Sequence, residues 1–503
     1  MQTTTHATQC PHHRADFEPK SGAAPAVSRR RDVPGPPPTP LLGWRGNALK
    51  FFRNPIAYMT HLRATYGDVA KLVQGSNPTL FYRSSHVQPS TYFGFGPECN
   101  RQILTDIELF QSRPPRGPHT QTAEQMATNL FFINGSRHKQ QRKLLMPHFS
   151  KNSLKHYHGF VVDYTNAMID GWKEGEAVEL TKALGDTLMY IGSKSFYGID
   201  ATKDSESLVQ LMRIMMYNMF TPGTMIPINL PGTPYRRMIR LMRRIRDQLI
   251  QEIQQKRQGD LAGTDVLSKI VRANVDDPTQ VTDDELIGEA FVLFFASQDA
   301  GTRALLWTLF LLAQHPDVMA ELLDELDEHL HGEAPAYEQI FELPVLDRVV
   351  KESLRILSPA IMFGRETSRI AQLGSYLIPA GSEVVYSPYM THMDPEIYPE
   401  PKRFRPDRWL DFKPSAYQYL PFGAGARMCL GASFGAMQVR LMVAIIVQRC
   451  RLEVIPGTKI DLTVNVVMSP KNGLPMIVRR QDRDFRKSRG PVEGYITRMV
   501  DFS

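Results

Sequence analysis

The stretch that most restricts how this chain can fold is 421–431, P-F-G-A-G-A-R-M-C-L-G, with three glycines, one arginine and one cysteine in eleven residues. Directly after it, Phe434, Met437, Leu441, Ala444, Ile445 and Val447 recur at helical spacing. Cys429 therefore stands in a glycine-rich turn at the start of a helix. Glycines let several backbone N–H groups point at one atom, and a helix N-terminus adds partial positive charge. Both influences favour thiolate over thiol, so the sequence predicts a lowered pKa at Cys429. A thiolate held by amides, with Arg427 two positions away, suits a ligand to the metal of a negatively charged cofactor. The competing reading is a buried structural cysteine beside a helix.

The stretch resembles the haem-binding loop of the cytochrome P450 family, F-x-x-G-x-R-x-C-x-G, with Phe422, Gly425, Arg427, Cys429 and Gly431 matching. Five matches at the right spacing disfavour the structural reading. The resemblance implies a mostly α fold with small β sheets. This is a triangular helical prism with heme b (iron protoporphyrin IX) between a long distal helix and the cysteine-loop helix. It implies that Cys429 binds the iron and that Phe422, Gly423, Arg427 and Gly431 line the haem.

Length alone suggests about three domains. The resemblance implies one catalytic unit over 34–480, between a disordered tail, 1–33, and a C-terminal extension, 481–503, of no evident function. Hydrophobic residues make up 42% and the net charge is +7, with arginines scattered or in the tails. That distribution disfavours nucleic acid and suits an acidic redox partner. The four cysteines show no paired spacing, which points to a reducing compartment. No run of about 18 apolar residues occurs. No membrane anchor of the microsomal type is expected, and the expected enzyme is soluble and cytoplasmic. Cys10, His12 and His13 could bind a metal, but a flexible tail tolerates such residues freely.

Along the chain, 34–42 reads as a stiff proline-rich lead-in. Helical pattern follows over 55–66, then strand-like runs at 69–73, 80–82 and 88–93, then a helix at 98–105. Residues 111–130 read as a long loop, which the family places over the substrate pocket. A helix over 136–146 puts His138 and Arg142 on one face. It is similar to the family's W-x-x-x-R helix, with His138 in place of Trp, and the resemblance implies that both reach haem propionates. A solvated basic helix is the alternative. Segments 208–220 and 235–250 resemble the two lid helices. Five Met residues in 212–225 fit ordinary core or a plastic lid over an apolar substrate.

A helix is expected from Asp283-Asp284 to about residue 315. Within it, Phe295-Ala296-Ser297-Gln298-Asp299-Ala300-Gly301-Thr302 resembles the family's distal A-G-x-D/E-T. Asp299 takes the acid position, and Ala300 stands where most members carry threonine. Phe295 and Ala296 are implied to face substrate. Oxygen activation needs two protons in a largely dry pocket. The acid relays them, and the threonine hydroxyl holds the water that donates them; Ala300 can do neither. Thr302 lies about 200° round the helix from it, and Ser297 about 60°. Three explanations stand: a substrate hydroxyl or ordered water fills the gap, Ser297 does, or the chemistry needs no relay.

Glu352 and Arg355, at i and i+3, match E-x-x-R, and Pro401–Phe404 in sequence matches P-x-R-F. The resemblance implies a structural triad, Glu352–Arg355–Arg403, with a surface ion pair as the alternative. It also implies that Ile361 and Phe363 line the pocket and that Arg365 meets a propionate. A hairpin over 464–478, turning at Pro470-Lys471-Asn472-Gly473, would bring Val467 and Met468 near substrate. The expected enzyme is a haem-thiolate monooxygenase inserting one oxygen atom from O2 into an apolar substrate. With no flavin or iron–sulfur motif, electrons would come from a ferredoxin or flavodoxin with its reductase. The alternatives are a peroxide-driven member, an isomerase or dehydratase, and a non-catalytic haem sensor.

Overall fold

The computed structural model describes residues 32–82, 89–114, 120–200, 208–218, 222–225, 228–259, 263–464 and 467–502. Cys10, His12 and His13 lie outside the described residues. The helix Asp283–Gln314, 32 residues and about 48 Å long, organises the rest. Thr282 starts it with a capping box: its hydroxyl accepts the Glu285 N–H, and the Glu285 carboxylate accepts the Thr282 N–H. Three acids in the first turn add favourable charge at the positive helix end. Every side chain from Ala304 to Gln314 is buried, as in a helix enclosed by others. The helices Leu180–Tyr197 and Ala432–Arg449 pack against it, and the Tyr197 hydroxyl donates to the Ala290 carbonyl. His315 ends it, and Pro316 opens the next helix, Pro316–Leu330.

Among the described residues the main sheet has five strands, in the order Val69–Lys71, Thr91–Gly94, Glu383–Tyr386, Phe363–Thr367 and Phe110–Gln111. Only the pairing of Thr91–Gly94 with Glu383–Tyr386 is parallel. Residues 80–82, expected as a strand, are not one. The backbone N–H groups of Leu80, Phe81 and Tyr82 and the Thr91 hydroxyl all turn to the buried carboxylate of Glu383. An acid some 300 positions away in sequence takes the donors that a neighbouring strand would use.

The expected loop 111–130 contains the helix Gln121–Ala127, capped by the Thr120 hydroxyl. Its own sequence is too short to sustain a helix. It forms on the central helix, where Gln125 Nε2 donates to Asp284 at 2.8 Å. A Cβ at Gly288 would come within 2.2 Å of the Thr128 carbonyl. The two lid segments are the helices Leu208–Asn218 and Pro234–Gln258, and Met212 and Met215 lie in the main core.

The single hairpin expected over 464–478 is replaced by strands in two sheets. Leu462–Val464 pairs with Met468–Pro470, whereas Pro475–Arg480 pairs with Cys450–Val454 and Ala177–Glu179. Glu179 draws the chain away by accepting the Leu474 N–H at 2.8 Å, just after Gly473 at φ +73°. The charged stretch is built into the fold over its described residues, 481–502. Phe485, Ile496, Met499 and Val500 are buried in the main core, and Val492–Glu493 pairs with Thr458–Lys459. Among the described residues, no helix is long and apolar enough to cross a membrane.

Candidate active site

The cysteine loop is held by its own backbone. The Cys429 N–H donates to the Phe422 carbonyl at 2.8 Å and the Met428 N–H to Gly425 at 3.1 Å. Gly425, at φ +70°, must lack a Cβ, which would lie 2.4 Å from the Leu104 carbonyl. The backbone N–H of Gly431 lies near the Cys429 thiol and favours its thiolate form. The Phe422 ring lies against Gly435 of the helix that follows. The thiol pKa is raised, contrary to the sequence expectation: burial outweighs the Gly431 N–H and the Arg142 charge. Yet the residue Cys429 keeps open surface although protein surrounds its thiol. Among the described residues, no three His, Cys, Asp or Glu side chains converge as a metal site. A metal at Cys429 would bring its remaining ligands with it, as a porphyrin iron does.

Four basic side chains converge nearby. His138, on the helix Gly135–Leu145, is buried, and its Nδ1 has no hydrogen-bond partner. Burial, then Arg427, Arg142 and Arg365, push its pKa down to about 4. Burial and Arg365 push Arg427 down to about 10. Their hydrogen bonds go to neutral groups. Arg142 bonds the Met428 carbonyl at 2.9 Å, and Arg365 bonds the Gly364 carbonyl and lies over the Tyr386 ring. Arg427 holds the Leu130, Phe131 and Ile133 carbonyls and Asn134, leaving Nε buried and unpaired. Three buried or half-buried arginines beside a neutral, buried histidine, without carboxylate partners, fit an anionic group, and haem brings two propionates. The residues present therefore fit haem.

On the central helix, only Ala296 and Ala300 are exposed between Glu285 and Gln314. They are four residues apart on one face, so that face meets open space where the neighbouring positions are buried or half-buried. Asp299 pairs with Arg303 at 3.1 Å. Burial raises its pKa against the opposing arginine. The Ser297 hydroxyl donates to the Phe294 carbonyl at 2.8 Å. It faces the neighbouring helix, where a Cβ on Gly192 would come within 2.6 Å of it. Ser297 is thus directed away from Ala300's side, which removes it as a substitute hydroxyl. Phe295 stacks on Phe291, and Phe363 on Tyr386, each half-buried. Val467 is half-buried and bridges Ala360. Ile361 and Met468 correct the expectation. Both have 0% exposure and sit in the packed core, whereas a pocket-lining side chain retains surface. The Met468 backbone is fixed by the Pro359 carbonyl and by Trp307 Nε1.

The family model "Cytochrome P450" matches residues 34–476. The chain is a cytochrome P450. It is similar to the cyclooctat-9-en-7-ol 5-monooxygenase of Streptomyces melanosporofaciens, 28% identical over 455 residues that span 88% of this chain and 95% of that one. It is also similar to the pentalenene oxygenase of Streptomyces avermitilis, 27% identical over 82% of this chain and 90% of that one. The structure of retinoic acid-bound cyanobacterial CYP120A1 shares the fold, with a TM-score of 0.76 at 24% identity, covering 90% of this chain and 100% of that one. Membership makes this P450 an oxidoreductase of the monooxygenase type, with a haem-thiolate cofactor, small-molecule substrates and a redox partner.

Behind the site, the cytochrome P450 departs from the expected triad. Glu352 and Arg355 are both fully buried and joined by two bonds, 2.8 and 2.9 Å. The third charged side chain is Arg408, whose Nε reaches Glu352 at 2.9 Å. Trp409 Nε1 and the Arg405 N–H complete the carboxylate. Arg403 instead turns outward to Glu400, and only its backbone carbonyl meets Arg355. The exposed Arg403 side chain gains no low-dielectric partner there. His392 is a further residue that sequence reading missed. Its Nε2 accepts the Leu420 N–H and its Nδ1 bonds Ser358, tying the chain before the cysteine loop to the end of helix Pro344–Ile356. Burial and Arg355 push it down to about 3, so it stays neutral.

Proposed function

We propose that this P450 inserts one oxygen atom from O2 into an apolar, unsaturated, terpenoid-like hydrocarbon or its alcohol. The observation that carries this reading is the open surface at Ala296 and Ala300, in a helix otherwise buried or half-buried from Glu285 to Gln314, together with the open surface at Cys429. The names of the curated relatives, which specify an unsaturated alcohol and an alkene, support the substrate class. Heme b bound through the Cys429 thiolate would supply oxygen activation, with thiolate electron donation favouring O–O cleavage. His138, Arg142 and Arg365 would hold its propionates. Arg427 contributes mainly by clamping 130–134. Electrons would come from a ferredoxin or flavodoxin with its reductase, in the cytoplasm.

Ala296 and Ala300 leave room for substrate over the cysteine loop, with Phe295, Phe363 and Val467 as apolar walls. Asp299 takes protons from the solvent side. Its pairing with Arg303 and its raised pKa suit a group that both accepts and releases a proton. With Ala300 lacking a hydroxyl and Ser297 turned away, a substrate hydroxyl or a water ordered by substrate completes the relay.

The experiment is a coupling measurement, product formed per NADPH consumed, on a hydroxyl-bearing substrate and its deoxy analogue. Coupling is high with the first and collapses with the second, releasing hydrogen peroxide. Ala300→Thr rescues the analogue, and Asp299→Asn slows turnover of both by roughly a hundredfold. Unchanged O2-driven turnover in Asp299→Asn, with peroxide alone supporting full activity, would establish the peroxide-driven alternative instead.

A further inference from the structure

Residues 128–134 connect the helix Gln121–Ala127 to the helix Gly135–Leu145 and are themselves neither helix nor strand. This stretch is held from two sides, and both holds meet on Leu130. From the central helix, Glu289 Oε1 accepts the Leu130 N–H at 2.5 Å. From the cysteine loop, Arg427 Nη1 donates to the Leu130 carbonyl at 3.4 Å, and Nη2 donates to the Ile133 carbonyl at 2.5 Å and to Asn134 Oδ1 at 2.7 Å. The residue before Glu289 serves the same approach. A Cβ on Gly288 would lie 2.2 Å from the Thr128 carbonyl, so a residue without a side chain lets the stretch come this close.

Stability does not account for Glu289. The residue is 1% exposed, and among the described residues its Oε2 has no hydrogen-bond partner. An unsatisfied buried polar atom costs about 1–3 kcal/mol, and an apolar side chain of similar volume has no such cost. What Glu289 supplies, and an apolar residue could not, is a fixed acceptor for a peptide outside any helix or strand. Burial raises its pKa to about 8, so near neutral pH it accepts the Leu130 N–H as an uncharged acid. Phe131 follows directly, between the two holds. Its ring is 52% exposed and meets Phe132 edge-on at 5.6 Å. Its backbone is tied to Arg427, two positions from Cys429. An apolar ring left on open surface, on a peptide braced from both sides, has the character of a wall and not of core.

We propose that Glu289 is a positioning residue for the substrate pocket: by fixing the Leu130 peptide against Arg427, it sets where the Phe131 ring stands beside the cysteine loop, and so how a bulky apolar ligand is oriented there. This rests on the reading of a pocket between Ala296, Ala300 and a haem at Cys429. Without the acceptor, the Leu130 peptide is free to turn, and the neighbouring ring moves with it.

The haem-loaded full chain is titrated with imidazole and with 4-phenylimidazole, and binding is followed by the haem absorbance shift. Imidazole reads access to the iron, and the added phenyl ring reads the pocket wall. Glu289→Leu weakens 4-phenylimidazole about tenfold and leaves imidazole within about twofold. Glu289→Gln, which offers the same carbonyl acceptor, binds both as the wild type does. Phe131→Ala weakens 4-phenylimidazole to the same extent as Glu289→Leu, and the double variant loses no more than either alone, because the two act through one contact. Amide hydrogen exchange at Leu130 is faster in Glu289→Leu and unchanged in Glu289→Gln. Equal weakening of both ligands, or a loss in Glu289→Gln as large as in Glu289→Leu, overturns the proposal. So does unchanged 4-phenylimidazole binding in Phe131→Ala, a result that decides the matter even where Glu289→Leu does not fold. A wild type that gives no imidazole shift overturns the haem reading itself, and the proposal with it.

Discussion

Arg403 and Arg408 lie five positions apart and have opposite surroundings. Arg403 is exposed beside Glu400, whereas Arg408 reaches the fully buried Glu352. The sequence motif P-x-R-F draws attention to the first. What matters is which arginine is desolvated next to the acid, and that depends on how the chain after Phe404 turns back. Arg408→Ala is expected to cost about 3–5 kcal/mol by stranding charge on Glu352. Arg403→Ala is expected to cost under about 1 kcal/mol. Denaturant unfolding of the two variants side by side checks this, and equal losses would restore the original triad. The Glu352–Arg355 pair itself was legible because i, i+3 spacing puts both on one face. The Cys429 position was legible for the same local reason. Its pKa direction was not, because burial depends on the whole fold.

At the scale of elements, the central helix and the segment 120–134 are joined by a group no motif announces. Glu289 is buried on the stripe that continues to Ala296 and Ala300. One carboxyl oxygen accepts the Leu130 N–H, and the other has no partner. Burial raises its pKa to about 8; the Leu130 bond opposes this and Glu285 adds to it. The unfolded chain releases that proton near pH 4.3, within roughly the usual range. Its contribution to stability is therefore full below about pH 4.3 and is lost as pH rises through 8. Glu289→Gln keeps the shape without the charge. Its stability relative to wild type is expected to climb between about pH 5 and 8, reaching roughly a few kcal/mol. Parallel stability curves against pH would contradict this. The long helix was legible from its acidic start and apolar run. The helix Gln121–Ala127 was not, because its stability comes from the surface it packs on.

Across the whole molecule, the elements that carry a sequence motif announce themselves by local pattern, and the long-range connections do not. Glu383 organising 80–82, Glu179 redirecting 474, and the C-terminal stretch returning to the core all join residues far apart in sequence. Deleting 484–502 removes Phe485, Ile496, Met499 and Val500 from the core. At about 1.5–3 kcal/mol per buried side chain, the loss is of the order of the whole stability of a domain. The truncated chain is expected to yield no soluble, haem-loaded protein; a truncation that folds and keeps its haem would return this segment to the status of an appendage. The chemistry proposed for this P450 rests on the Cys429 sulfur. Its most direct measurement is the absorption spectrum of the reduced, CO-bound protein. The wild type is expected to absorb at the position of thiolate ligation, Cys429→His at that of imidazole ligation, and Cys429→Ala at neither. A thiolate-type spectrum that persists in Cys429→Ala would contradict it.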